Sequence, residues 1–126
     1  CPRGTRQQPF LVTETNASSI GGAADNFPAY AGQLRQVVWA LVARGARLVE
    51  YWHWHSLHYG AETYWGGILP HSLQPGRIYR ELAEVGAELQ ANAELINDLS
   101  TVSDVGLLIS AESRWAMANP SMSGRP

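Results

Sequence analysis

Two residues, Gly45 and Ala46, are all that separates a helical stretch from a β-type run, and that short turn decides most of what this chain can fold into. Upstream of it, residues 30–44 place Leu34, Val37, Val38, Leu41 and Val42 at helical spacing, with Gly45 where a left-handed C-terminal cap belongs. Downstream, residues 47–52 are apolar and aromatic. Residues 9–13, opened by Pro9, form a similar short run ending against Glu14. A second helix is predicted after Pro75 and runs to about Leu99. Ile78, Leu82, Val85, Leu89, Ala93 and Ile96 form its apolar stripe, with Arg77/Glu81 and Arg80/Glu84 on the other face. Residues 105–110 read as a third strand, and residues 113–126 as a polar, proline-bearing tail.

The predicted order is β-loop-α-β-loop-α-β. Alternation of this kind implies an α/β fold with parallel strands covered by helices, and ligands in such folds bind at the C-terminal ends of the strands. Both chemically dense segments begin at such ends. Residues 15–28 are small and polar, loop composition that is long for a plain connector. Residues 53–67 gather His53, His55, His58, Trp54, Trp65 and Glu62 with no sustained period. Two or three strands and two helices can neither close a barrel nor cover both faces of a sheet, so part of the apolar surface calls for partners outside the chain.

Composition excludes several chemistries. All nine basic residues are arginine, which leaves no lysine for a Schiff base or a phosphate-binding loop. The arginines are scattered and the formal net charge is −2, so neither nucleic acid nor an anionic membrane is an expected partner. Cys1 is the only cysteine, which rules out an internal disulfide or a multi-cysteine metal site. No apolar run approaches the roughly 20 residues that span a bilayer. The chain opens on Cys1 rather than Met and is read as a piece of a longer one.

Glu14 can be read in two ways. A carboxylate at a strand end can cap the following turn or pair with arginine. It also continues the parity of Phe10 and Val12, however, and a charge in an apolar row needs a partner or a solvated cleft. On the other β-segment, Trp52 and Trp54 share one parity and His53 and His55 the other. If the tryptophans face the cleft, Trp54 offers a platform for the C–H face of a sugar. If the histidines do, His53 and His55 form a His-x-His pair of the kind that holds metal in hydrolases, with ordinary loop histidines as the plainer reading.

Several motifs together resemble glycoside hydrolase family 42, the microbial β-galactosidases. They are Val12-Thr13-Glu14-Thr15, the helical stretch from Gly32 to Gly45, Tyr51-Trp52-His53-Trp54, Gly60-Ala61-Glu62, Pro70-His71, and the run from Pro75 through Arg77 to Glu81. The resemblance implies a fragment of a (β/α)8 TIM barrel. Residues 9–13 would be strand seven, 47–54 strand eight, and the helix after Pro75 the closing helix. Residues 1–100 would then be barrel, and 101–126 the start of a trimerisation domain. It further implies a retaining mechanism that needs two carboxylates about 5–5.5 Å apart. Glu14 matches the nucleophile, and the acid/base lies upstream of Cys1, so that the fragment alone is expected to be inactive. Trp54 matches the tryptophan that floors the galactose subsite, and Glu62 the loop carboxylate that binds sugar hydroxyls. Trp65 stands where many members carry a sugar-binding histidine, with His71 as the candidate substitute in space. No cofactor or metal is implied, the substrate is a terminal β-galactoside, and the parent is expected to be a cytoplasmic homotrimer. The rival readings are a non-catalytic carbohydrate-binding or partner-dependent piece, and a metal-dependent hydrolase built on His53 and His55.

Overall fold

A computed structural model describes residue 4 and residues 8–21, 24–100, 102 and 104–118. Its centre is a pair of parallel strands, β1 (Phe10–Asn16) and β4 (Ala46–Trp52), joined through helix α1 (Gln33–Val42). The register runs Phe10 to Ala46, Val12 to Val49 and Asn16 to Trp52, with an irregularity between Val12 and Thr15 that brackets Glu14. Gly45 closes α1 at φ 95°, and its N–H donates to the Val42 carbonyl at 2.9 Å. A residue with a β-carbon is disfavoured in that left-handed conformation, and this is why a two-residue link suffices here.

Leu34 and Val38, one helical turn apart, are buried on α1, and Val85 is buried on α2 (Arg77–Ala91), which packs against it. Carboxylates on α2 fasten the two helices. Glu81 accepts the backbone N–H groups of Leu34 and Arg35 at 3.1 and 3.3 Å, capping α1 from outside it, and pairs with Arg77 one turn earlier at 3.3 Å. Arg77 also donates to the Ala29 carbonyl. Glu88 accepts from Arg35 at 2.9 Å and from the Trp39 indole at 2.8 Å, and these hydrogen bonds hold its carboxyl below the ordinary value.

The second predicted helix is interrupted. It gives way at Asn92, and a short helix, α3 (Ala93–Asp98), follows. The Asn92 carboxamide donates to the Glu88 carbonyl at 2.8 Å, the local competition with the helical ladder that makes asparagine a poor interior residue. Arg47, at the start of β4, donates to the carbonyls of Ile96 and Asn97 at 2.6 and 3.1 Å and so ties α3 to the strand. Beneath, an apolar cavity of about 410 Å³ is lined by Val38, Leu48, Tyr51, Leu82, Val85 and Ile96. The Tyr51 hydroxyl is buried with no partner among the described residues. Burial, with the Glu81 charge second, pushes its pKa up to about 12.

Three further expectations need correction. The stretch 15–28 is not all loop, since β2 (Ser19–Gly21) and β3 (Asn26–Pro28) form an antiparallel pair with Ile20 opposite Phe27. Residues 105–110 form no strand. They have no neighbouring strand to pair with among the described residues, and Leu108 is 96% exposed. Where a polar tail was expected from residue 113, helix α4 (Ala111–Ala118) begins after Ser110, whose hydroxyl accepts the Ser113 N–H at 3.0 Å. Residues 119–126 of the predicted tail lie outside the described residues. None of the described helices is long and apolar enough to cross a membrane.

Candidate functional site

The C-terminal ends of β1 and β4 and the loop beyond β4 converge on a cavity of about 370 Å³ lined by Glu14, Asn16, Trp52, Glu62 and Trp65. Glu14 and Asn16 are two residues apart on β1, and Trp52 is the register partner of Asn16 on β4. The alternation of a strand therefore supplies two of the polar groups, and the parallel pairing supplies the indole. Glu62 and Trp65 come from the same tight turn, in which the Trp65 N–H donates to the Glu62 carbonyl at 3.1 Å.

Three hydrogen bonds hold that turn against the hairpin. Ser18 N–H donates to the Gly66 carbonyl at 3.2 Å, Gly66 N–H to the Ser19 hydroxyl at 2.7 Å, and the Asn26 carboxamide to the Tyr64 carbonyl at 3.1 Å. Behind it, Ile68 N–H reaches the His53 carbonyl at 2.9 Å and Leu69 N–H the Trp54 carbonyl at 2.8 Å. Ser56, only 2% exposed, accepts the Gly67 N–H at 3.0 Å. The wall that carries Glu62 and Trp65 is thus braced on both sides.

Glu14 is exposed, with no hydrogen bond or ion pair to any described residue, so it neither caps a turn nor pairs with arginine there. Glu62 likewise makes no side-chain hydrogen bond to a described residue. The cavity therefore presents two carboxylates, a carboxamide and two indoles, with no basic side chain among the described residues that line it. Carboxylates accept from hydroxyl groups, and indole faces cover flat apolar surface. Together they suit a polyhydroxylated ligand with one C–H face.

The structure brings Glu14, Glu62 and Trp65 to one cavity, and it puts Trp52 there rather than Trp54. Strand β4 ends at Trp52, so the alternation that would return Trp54 to the same face stops there. Trp54 is 59% exposed and meets Tyr79 of α2 edge-on, with ring centroids 6.2 Å apart. His71 is also elsewhere. It donates through Nε2 to the Leu57 carbonyl at 3.0 Å and lines a separate cavity with Ser56 and Arg77. Sequence reasoning missed Asn16, although its i+2 relation to Glu14 was available.

His53 stands edge-on to Trp52, with centroids 5.1 Å apart, and both of its ring nitrogens are buried without a partner among the described residues. No group of three potential metal ligands forms among the described residues, so no third ligand joins His53 and His55 there. Burial lowers the pKa of His53 below its ordinary 6.5, helped by the nearby His55 and opposed by Glu62. The unfolded chain therefore takes up this proton at a higher pH than the folded one, and stability falls as pH drops below about 6.5. The urea midpoint, followed by tryptophan fluorescence, is expected to be lower at pH 5 than at pH 7.5, and His53→Phe should reduce that difference. An unchanged difference in the variant would assign the effect to other groups.

The model of glycoside hydrolase family 42, described as β-galactosidase, matches residues 2–92. The β-galactosidase LacZ of Heyndrickxia coagulans is 30% identical over 116 residues, which are 91% of this chain and 17% of that protein. BgaB of a Geobacillus strain is 32% identical over 111 residues, 87% of this chain and 16% of that one. Among solved structures, the cold-adapted β-galactosidase of Rahnella sp. R3 overlays with a TM-score of 0.82 at 28% identity, over 91% of this chain and 17% of that one. Gan42B, a family 42 β-galactosidase of G. stearothermophilus, overlays with a TM-score of 0.81 at 26% identity, with the same coverage. A catalytic variant of Gan42B with a glutamate replaced by alanine overlays equally well at 25% identity. The chain spans about a sixth of the length of these relatives.

Proposed function

The chain belongs to glycoside hydrolase family 42, the β-galactosidases, and from that premise we propose that it supplies the nucleophile and part of the sugar pocket of a retaining enzyme acting on terminal β-galactosides. The observation that carries this reading is the convergence of Glu14, unpaired among the described residues, with Trp52, Glu62 and Trp65 on one cavity at the ends of two parallel strands. Glu14 attacks the anomeric carbon and forms a glycosyl ester as the leaving oxygen takes a proton from an acid/base group. Water, deprotonated by that same group, then cleaves the ester. Trp52 covers the apolar face of the sugar, Glu62 accepts hydroxyl hydrogens, and Trp65 closes the side of the pocket next to Glu62.

In this reading β1 and β4 are barrel strands seven and eight, residues from 101 onward begin the next domain, and the acid/base comes from outside these residues. The fragment alone would then lack leaving-group protonation and be inactive. Homotrimeric assembly and a cytoplasmic setting belong to the same reading and rest on the family resemblance alone.

The direct test is trapping of the ester. In the native polypeptide that carries these residues, an activated 2-deoxy-2-fluoro-β-galactoside is expected to inactivate the enzyme and add one fluorosugar to the peptide containing Glu14. An active enzyme labelled on a different residue would overturn the assignment of Glu14.

A further inference from the structure

We propose that Asn16 is a specificity-determining residue of this pocket, donating a hydrogen bond from its carboxamide to one hydroxyl oxygen of the terminal sugar. The inference rests on the reading of Glu14 as nucleophile and adds a group that the family motifs do not include.

The argument begins with the hydrogen-bonding balance of the cavity. A sugar hydroxyl is both a donor and an acceptor, and an ionised carboxylate only accepts. Glu14 and Glu62 can therefore satisfy hydroxyl hydrogens but not hydroxyl oxygens. The indoles of Trp52 and Trp65 have one N–H each, fixed in the ring plane, and present mainly apolar surface. Among the described residues that line the cavity, Asn16 is the one whose side chain carries two N–H donors and an acceptor together. It can complete a chain in which its N–H points to a sugar oxygen whose own hydrogen goes to a carboxylate.

Its position suits that task. Asn16 follows Glu14 on the same strand face, about 6.6 Å further along at strand rise, which is the reach of a pyranose ring lying over both. Its backbone is held in register with Trp52, and the next N–H, that of Ala17, donates to the Trp52 carbonyl at 3.3 Å. The carboxamide is half-buried and has no hydrogen bond to any described residue, so it stands ready for a ligand at the point where the protein leaves it unanswered.

The test combines variants with substrate analogues in the native polypeptide. Asn16→Ala and Asn16→Asp are compared with wild type on an aryl β-D-galactoside and on its 2-, 3-, 4- and 6-deoxy analogues. Asn16→Asp keeps the shape and removes the donors, so it carries the test if Asn16→Ala fails to fold. On the parent galactoside both variants are expected to lose about 5- to 150-fold in kcat/KM, the cost of leaving a buried polar partner unsatisfied. On one deoxy analogue, the one lacking the partner hydroxyl, the loss should shrink to within about twofold, because wild type has already lost the same bond. An equal loss on every analogue, or no loss at all, overturns the proposal. Fluorosugar labelling of wild type separates the two readings. A labelled Glu14 with a uniform loss removes Asn16 alone, whereas an unlabelled Glu14 in an active enzyme removes both.

Discussion

Replacing Glu14 by alanine in the native polypeptide is expected to lower hydrolysis of an aryl β-galactoside by a factor on the order of 10⁴ or more while leaving the unfolding midpoint nearly unchanged. The two halves of this result have separate causes. Glu14 is exposed and has no partner among the described residues, so no packed or hydrogen-bonded interaction with them is lost when the carboxylate goes. If Glu14 is the nucleophile, however, the covalent route closes, and water cannot reproduce a carboxylate held against the anomeric carbon. Azide should restore part of the turnover by occupying the space left by the carboxylate. Attack from that face gives the α-galactosyl azide, the opposite anomer to the hydrolysis product of a retaining enzyme. Release of the chromophore and NMR of the azide product measure the two effects. Undiminished turnover in Glu14→Ala would remove the glycosidase mechanism from this residue.

Gly67→Ala should damage the fold and the cavity together. An added β-carbon would lie 2.5 Å from the His55 carbonyl carbon and 2.7 Å from the Ser56 nitrogen. Both are backbone atoms, and that backbone is pinned by the bonds from Ser56 N–H to the Leu69 carbonyl and from Leu69 N–H to the Trp54 carbonyl, at 2.9 and 2.8 Å. Nothing nearby can give way cheaply, so overpacking should cost about 1–3 kcal/mol or more. The displaced segment carries Glu62 and Trp65 on the other side of its braces, and a shift of about 1 Å in groups that position substrate can cost on the order of 10²-fold. The expected result is a lower urea midpoint together with a loss of kcat/KM. Gly86→Ala is the matched control, because nothing lies within 4 Å of its added β-carbon. Equal behaviour of the two variants would show that crowding at Gly67 is relieved elsewhere.

What could be read from residues alone divides along a physical line. Helix α1 was legible because Leu34, Val38 and their neighbours repeat at helical spacing and Gly45 marks the end, signals contained within a dozen residues. Glu14 was legible because a charge closes an apolar row. The hairpin was not, since the pairing of Ile20 with Phe27 depends on partners across a stretch rich in small residues. Residues 105–110 show the opposite error. Their apolar, β-type composition favours a strand, but composition supplies no neighbour, and a strand is a relation between two segments. The choice between Trp52 and Trp54 turned on where β4 stops, a boundary that periodicity locates only to within a residue or two.

The seam formed by Ser18, Ser19 and Asn26 with Tyr64 and Gly66 means that the cavity wall and the hairpin that buttresses it are inherited as a set. Grafting the 19–28 hairpin from a relative into this scaffold would leave the wall fitted to contacts that no longer exist, unless residues 62–67 travel with it. Chimeras that exchange wall and buttress together would report selectivity, and those that exchange one of them would report mismatch.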